Sequence, residues 1–137
     1  LNARYLSSKV SKYLPLAYNE PCMHEFVATV KDLKKSHKIK AYDVGKALLD
    51  KGFHSPTIYF PLIVEEALMF EPTETQTVET LDDLAESIQH IIEELCAPGV
   101  NLTDYPKNLP VGRPNELIPA KHLTVHWGDF ELLELTE

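Results

Sequence analysis

The sequence predicts an α+β fold: a small antiparallel or mixed sheet with helices on one face. Three observations carry this. Residues 22–30 alternate in polarity with period two, which is strand spacing. Two short apolar runs, residues 57–60 and 67–71, follow one another with only a turn between them. Residues 77–95 carry apolar side chains at helical spacing on one wide face. Consecutive short strands flanked by helices build a helix-covered sheet, not alternating βαβ units.

Taken in order, residues 2–14 place Leu6, Val10, Tyr13 and Leu14 on one stripe and predict a helix that Pro15 ends. Residues 16–21 form a connector with room for one extended pair. In the strand over residues 22–30, His24, Phe26, Ala28 and Val30 share one face, and Met23, Glu25, Val27 and Thr29 the other. Residues 31–40 are polar and predict a turn or short helix. Residues 41–51 predict a helix buried through Val44, Ala47 and Leu48, with Gly52 placed for a left-handed cap. Gly45 weakens that helix by about 1 kcal/mol relative to alanine, which suggests close packing at this point. Pro61 and the Glu65-Glu66 pair separate the two short strands, as in a hairpin with a loop or bulge. Thr77 is placed to cap the long helix, and Glu79, Asp82 and Asp83 load its first turn with the favoured sign of charge. Pro98 and Gly99 end it. Pro106, Pro110 and Pro114 then predict an extended tail, with a short strand or docking segment at residues 123–127.

Composition narrows the function classes. With 137 residues, 44% hydrophobic and 25% charged, the chain suits one folded domain over residues 1–137 and excludes a disordered one. Within it, residues 1–14 read as a linking helix cut at its start, and residues 98–137 as the tail. The opening Leu1-Asn2-Ala3-Arg4 looks like the inside of a helix, so a fragment of a longer protein is expected. A net charge of −8 disfavours a nucleic-acid partner. The one dense basic run, Lys31, Lys34, Lys35, Lys38 and Lys40, reads as a solvated surface. No apolar run reaches transmembrane length, so no membrane partner is expected. Two cysteines, Cys22 and Cys96, are too few for a disulfide framework.

No constellation is a complete catalytic set. His122 and His126 lack the third and fourth ligands of a zinc site, and no metal is expected. Cys22 and His24 could share a strand side as a nucleophile and base, with Glu25 pointing away, or Cys22 is an inert buried thiol. His54 sits on a loop between elements, either as a binding residue or as a loop histidine satisfied by backbone. Glu71, Thr73 and Glu74 leave a strand and enter a helix, where capping alone would explain them. There is neither a glycine-rich phosphate loop nor a Gly-x-Ser-x-Gly elbow.

Three segments carry a family resemblance: PCMHEFV (residues 21–27), DVGKALLDKGFHSPTIYFPLIVEEALMFEPTET (residues 43–75) and ETLDDLAESI (residues 79–88). With the opening LNARYL and the late NLPVGRPNEL…HWGDF, they resemble the C-terminal part of glycine dehydrogenase (decarboxylating), the P-protein of the glycine cleavage system. The likeness is to subunit 2 of the two-subunit bacterial form and runs over nearly the whole chain. The Gly-Phe-His-x-Pro-Thr and Glu-Pro-Thr-Glu motifs are its most specific parts. Gly45 stands where alanine is usual in the family, and Ser55 where a small apolar residue is common.

The resemblance implies a cytoplasmic, pyridoxal 5'-phosphate-dependent oxidoreductase of glycine catabolism, bacterial or archaeal. It implies the C-terminal small domain of a fold type I enzyme, beside a large domain that carries the Schiff-base lysine. The only His-Lys pair, His37-Lys38, lies in a polar turn, so that lysine is expected upstream and this chain alone is expected to be inactive. The intact enzyme would decarboxylate glycine and pass the aminomethyl group to the lipoyl arm of the H-protein, with subunit 1 as a further partner. On this reading His54 and Thr57 line the active-site entrance, then Glu71, Thr73 and Glu74, then His24 and Glu25. A free-standing α+β small-molecule-binding or regulatory module is the alternative from another class, and another transferase of the same fold type is the alternative within it. An exposed apolar patch would favour the fragment over the free-standing module.

Overall fold

A computed structural model describes residues 1–121 and residue 123. The elements run α1 (Asn2–Val10), β1 (Phe26–Thr29), α2 (Lys31–His37), α3 (Ala41–Asp50), β2 (Thr57–Ile58), β3 (Ala67–Phe70), α4 (Val78–Leu95), a 3-10 turn (Leu102–Asp104) and α5 (Leu117–Lys121). The three strands form one antiparallel sheet in the order β1-β3-β2. The predicted α+β class therefore holds, with antiparallel pairing throughout. The strand expected at residues 123–127 falls outside the described residues.

Apolar periodicity decides the layering. Phe26 and Ala28 of β1 and Leu68 and Phe70 of β3 share one face, and this face meets Leu6 and Val10 of α1, Val44 and Leu48 of α3 and Leu81, Ile88 and Ile91 of α4. Full burial of each of these large aliphatic side chains contributes about 1.5–3 kcal/mol. In the register Phe26 lies opposite Phe70, and their rings stack at 5.0 Å between centroids. The opposite face carries a smaller cluster, Val27, Ala67 and Met69, covered by Ala17 and Val64.

The helix signals resolve as predicted for α3 and α4. Thr77 caps α4, its hydroxyl accepting the Thr80 N–H at 3.2 Å. Gly52 takes φ +81 one residue beyond the C-cap of α3, a conformation that suits glycine. Val78, the first residue of α4, is 54% exposed and stands outside the helix's buried stripe. The first helix ends at Val10 and residues 11–13 form turns that leave Tyr13 exposed, but Leu14 is still buried.

The predicted strand over residues 22–30 contracts to Phe26–Thr29. Its partner β3 ends at Phe70, and Pro72 beyond it has no N–H to donate, so His24 and Glu25 have no strand to pair with. The outer edge of β1 is met by the connector: Ala17 donates to Val27 O, Thr29 donates to Pro15 O, and Leu16 bridges Ala28.

Glu66 joins the layers. It is 7% exposed and stands just before β3 with φ +52. Its backbone oxygen accepts the Val30 N–H at 3.1 Å. Its carboxylate accepts the Ala41 N–H at 2.8 Å and pairs with the Lys34 ammonium at 2.7 Å. At the first turn of α3, Asp43 accepts the Lys40 N–H and pairs with Arg113 at 2.8 Å. Arg113 also donates to Tyr105 O at 2.7 Å, and Asp50 accepts the N–H groups of Lys107 and Asn108. The segment after α4 is thus held on α3 mainly by charge-assisted hydrogen bonds.

Two predictions follow from the packing. A Cβ at position 45 would lie 2.6 Å from Ser55 Oγ. Gly45→Ala alone should therefore realise less than the roughly 1 kcal/mol of helix propensity, whereas Gly45→Ala with Ser55→Ala should recover it, a coupling of about 0.5–2 kcal/mol in urea melts. Additive single effects would show that the contact relaxes freely. The second concerns acid. The Tyr105 hydroxyl, and after it Lys107, hold Glu94 below its ordinary value. A depressed folded value stabilises above the unfolded value and is lost as pH falls through the folded one. The stability gap between the native chain and Tyr105→Phe should therefore be widest at neutral pH and narrow below about pH 4.3.

Candidate functional site

The loop that leaves α3 and the chain that leaves β3 open onto the same cleft. Gly52 and Phe53 turn back on the helix through N–H bonds to Leu49 O and Leu48 O. Pro56 then sends the chain into β2, where Thr57 pairs with Met69. Glu71 follows β3 on the side of Thr57, whose hydroxyl lies 3.5 Å from its carboxylate. Pro72 ends the strand, and residues 73–77 cross to α4. The result is a cleft of about 500 Å³, with His54, Thr57, Glu71 and Thr73 on its polar side and Leu6, Phe70, Leu81 and Leu84 on its apolar side.

Four of the seven predicted residues are thus brought together. Glu74 is exposed on the crossing segment and does not line the cleft. His24 and Glu25 lie apart from it. They face each other at 3.4 Å, Glu25 on a groove beside Tyr18 and Phe60, His24 on a shallow depression with Leu1, Arg4 and Met23. Cys22 lies 3.8 Å from Ser7 Oγ, and both cysteines are free. Burial raises the Cys96 thiol, the opposite of activation. His122 and His126 are outside the described residues. Among the described residues no group of three His, Cys, Asp or Glu could hold a metal, and no helix is long and apolar enough to cross a membrane.

Sequence reading missed three contributors. Gln76 and Thr80 line the cleft where α4 begins. Asn2 pins its rim: Nδ2 donates to Thr73 O at 2.8 Å and to Gln76 O at 3.0 Å. Thr73 Oγ1 is itself 2.8 Å from Thr75 Oγ1. The available signal was Pro72, which cannot continue the strand and so begins the crossing to α4.

A pyridoxal phosphate cofactor needs a lysine amine for its Schiff base and donors or cations for its phosphate. The cleft contains neither lysine nor arginine, and its one carboxylate is Glu71. These residues do not fit the cofactor as a self-contained site. What they present is one imidazole, one carboxylate and hydroxyls over an apolar wall, a set that can bind and orient polar groups.

A small α+β unit with an open, cation-poor cleft is the class that fold and site define. Residues 1–109 match the family model described as glycine dehydrogenase, C-terminal domain, and the chain belongs to that family. A probable glycine dehydrogenase (decarboxylating) subunit 2 of Thermotoga maritima is 45% identical over 127 residues, 93% of this chain and 27% of the relative. Those of Rhodopirellula baltica and Caldanaerobacter subterraneus subsp. tengcongensis, with the same description, are 45% and 48% identical over 94% and 93% of this chain, and 25% and 26% of their own lengths. The chain spans about a quarter of the length of the curated relatives it matches.

Asn2→Ala should loosen the rim without unfolding the chain. The amides of residues 74–77 should exchange faster with solvent, and stability should fall by about 0.5–1.5 kcal/mol. Unchanged exchange at those amides would remove Asn2 from the site.

Proposed function

We propose that this chain is the C-terminal unit of a subunit 2 of glycine dehydrogenase (decarboxylating), and that the His54 cleft is its wall of the active site. The observation that supports this is the convergence of His54, Thr57, Glu71 and Thr73, from two separate motifs, on one cleft in a member of that domain family. In this reading the intact enzyme works with pyridoxal 5'-phosphate in the cytoplasm. It decarboxylates glycine and transfers the aminomethyl group to the lipoyl arm of the H-protein, together with subunit 1. When bound, the cofactor would supply an electron sink for the decarboxylation. The lysine that holds it lies on the large domain.

This chain's own residues bind and orient. His54, on the exposed loop from α3, and Thr57, the exposed first residue of β2, are fixed by α3 and the sheet, so they face an incoming group without being held inside the core. Glu71, beside Thr57, offers an acceptor for an ammonium or hydroxyl group. Leu6, Leu81 and Leu84 exclude water from the inner wall.

The chain alone with pyridoxal phosphate should show no Schiff-base absorption retained after removal of free cofactor, and with glycine added should release no more carbon dioxide than the protein-free mixture; either signal would overturn the division of labour. In the whole Thermotoga maritima enzyme, alanine at the position aligned with His54 should lower kcat/KM by about 10–100-fold with the fold intact. An unchanged value would remove the cleft from the active site.

A further inference from the structure

The loop between β2 and β3 presents a fixed apolar knob to water. Phe60 is 52% exposed, Leu62 87% and Ile63 84%. The base of this loop is held on all sides. Tyr59 donates its N–H to Ala67 O at 2.9 Å, and Val64 donates to Pro61 O at 2.9 Å. Glu65 O accepts the Thr29 hydroxyl at 2.6 Å, and the Glu65 carboxylate meets Lys31 at 3.3 Å and Lys34 at 3.5 Å. Glu66 closes the base with its contacts to Ala41 and Lys34. Val64 turns inward onto Ala67 and Met69. Beside the knob runs a groove of about 620 Å³ between Tyr18 and Phe60, floored by Val27 and Met69. A contiguous apolar surface on a pre-ordered loop is what a docking site looks like, since little conformational freedom is lost when it is covered.

We infer that this knob and groove are the seat of the remaining body of the same glycine dehydrogenase subunit. The inference rests on the reading of this chain as that subunit's C-terminal unit. The chain accounts for 25–27% of each relative, so a much larger body of the same polypeptide is available to cover the patch. A second copy is the poorer occupant, because each chain carries a net charge of −8 and like-charged copies repel. The two carboxylates at the loop's base are already paired with Lys31 and Lys34, so an apolar partner meets no unpaired charge there. Position adds a consequence. Thr57 of the same hairpin lines the His54 cleft, and Met69 lines both the cleft and the groove. A body seated on the knob is therefore held against the flank of the cleft, in place to supply the lysine and cations that the cleft lacks.

The test compares labelling of one introduced thiol by N-ethylmaleimide, read by peptide mass so that Cys22 and Cys96 are followed separately. Ile63→Cys in this chain should label at the rate of an unstructured peptide, and the aligned substitution in the whole Thermotoga maritima subunit 2 should label at least about tenfold more slowly. Equal rates in the two would overturn the inference. Labelling that slows with concentration in this chain alone, with a doubled mass by light scattering, would assign the surface to a second copy and overturn it as well. As a second variant, Leu62→Glu with Ile63→Glu should leave the circular dichroism of this chain unchanged. The aligned pair in the whole subunit should raise labelling of a reporter thiol at the position of Tyr18, and an unchanged rate there counts against the inference. None of these readouts needs cofactor or turnover. An inert cleft with a protected knob would sink only the active-site reading, and an open knob in an active subunit would sink only this one.

Discussion

The structure depends on one buried carboxylate. A sheet whose strands run to four, two and four residues needs packing against its helices, and something must fix it to them. Glu66 does this from just before the central strand. Its backbone oxygen takes the N–H of Val30, where β1 ends. Its side chain takes the first N–H of α3 and the ammonium of Lys34 on α2. Burying a carboxylate costs several kcal/mol unless its partners are good. Here they are an ammonium and the N-terminus of a ten-residue helix, whose dipole favours negative charge. The Lys34 side is partly open to water, so the helix N–H is the contact that could not be replaced by solvent. With α3 fixed in this way, Gly52 and the His54 loop start from a fixed point, and β2 returns to the sheet in register.

What could be read from the sequence, and what could not, separates along the same line. Elements with their own local signals came through: α4 from its stripe and Thr77, the end of α3 from Gly52, the hairpin from two apolar runs around Pro61. The long strand over residues 22–30 did not, because alternation reports which residues could pair, and pairing is limited by the partner. β3 offers four residues before Pro72, so His24 and Glu25 fall outside. Glu66 was read as half of a hairpin separator. Nothing local marks a glutamate whose partners lie 32 and 25 positions away, since Lys34 and Ala41 join it only through the fold. In the cleft, the two motifs were legible as special and their meeting was not: Thr57 and Glu71 are neighbours because of the β2–β3 register alone.

Packing also joins Gly45 and Ser55, the two residues that the sequence sets apart from the resemblance. Read singly, a glycine in α3 where alanine is usual weakens a helix, and a serine at position 55 puts a hydroxyl where an apolar group is common. In space they are one event. The Ser55 hydroxyl occupies the volume that a Cβ at position 45 would need, and it donates to Pro56 O. The loop carrying His54 therefore packs directly on the α3 backbone.

The cleft and the knob make most sense together. On the proposed reading the assembled site must hold a phosphate, which needs fixed cations, and cations placed in this open, cation-poor cleft would compete with water. The wall instead supplies one imidazole, one carboxylate and an apolar lining, and its flank carries exposed phenylalanine, leucine and isoleucine on an ordered loop. On the proposed reading, covering that loop would remove apolar surface from water and close the side of the cleft together. The hydrophobic gain of assembly and the exclusion of water from the site are then one step. That coupling would account for a polar-anchored base beneath side chains that gain nothing from exposure.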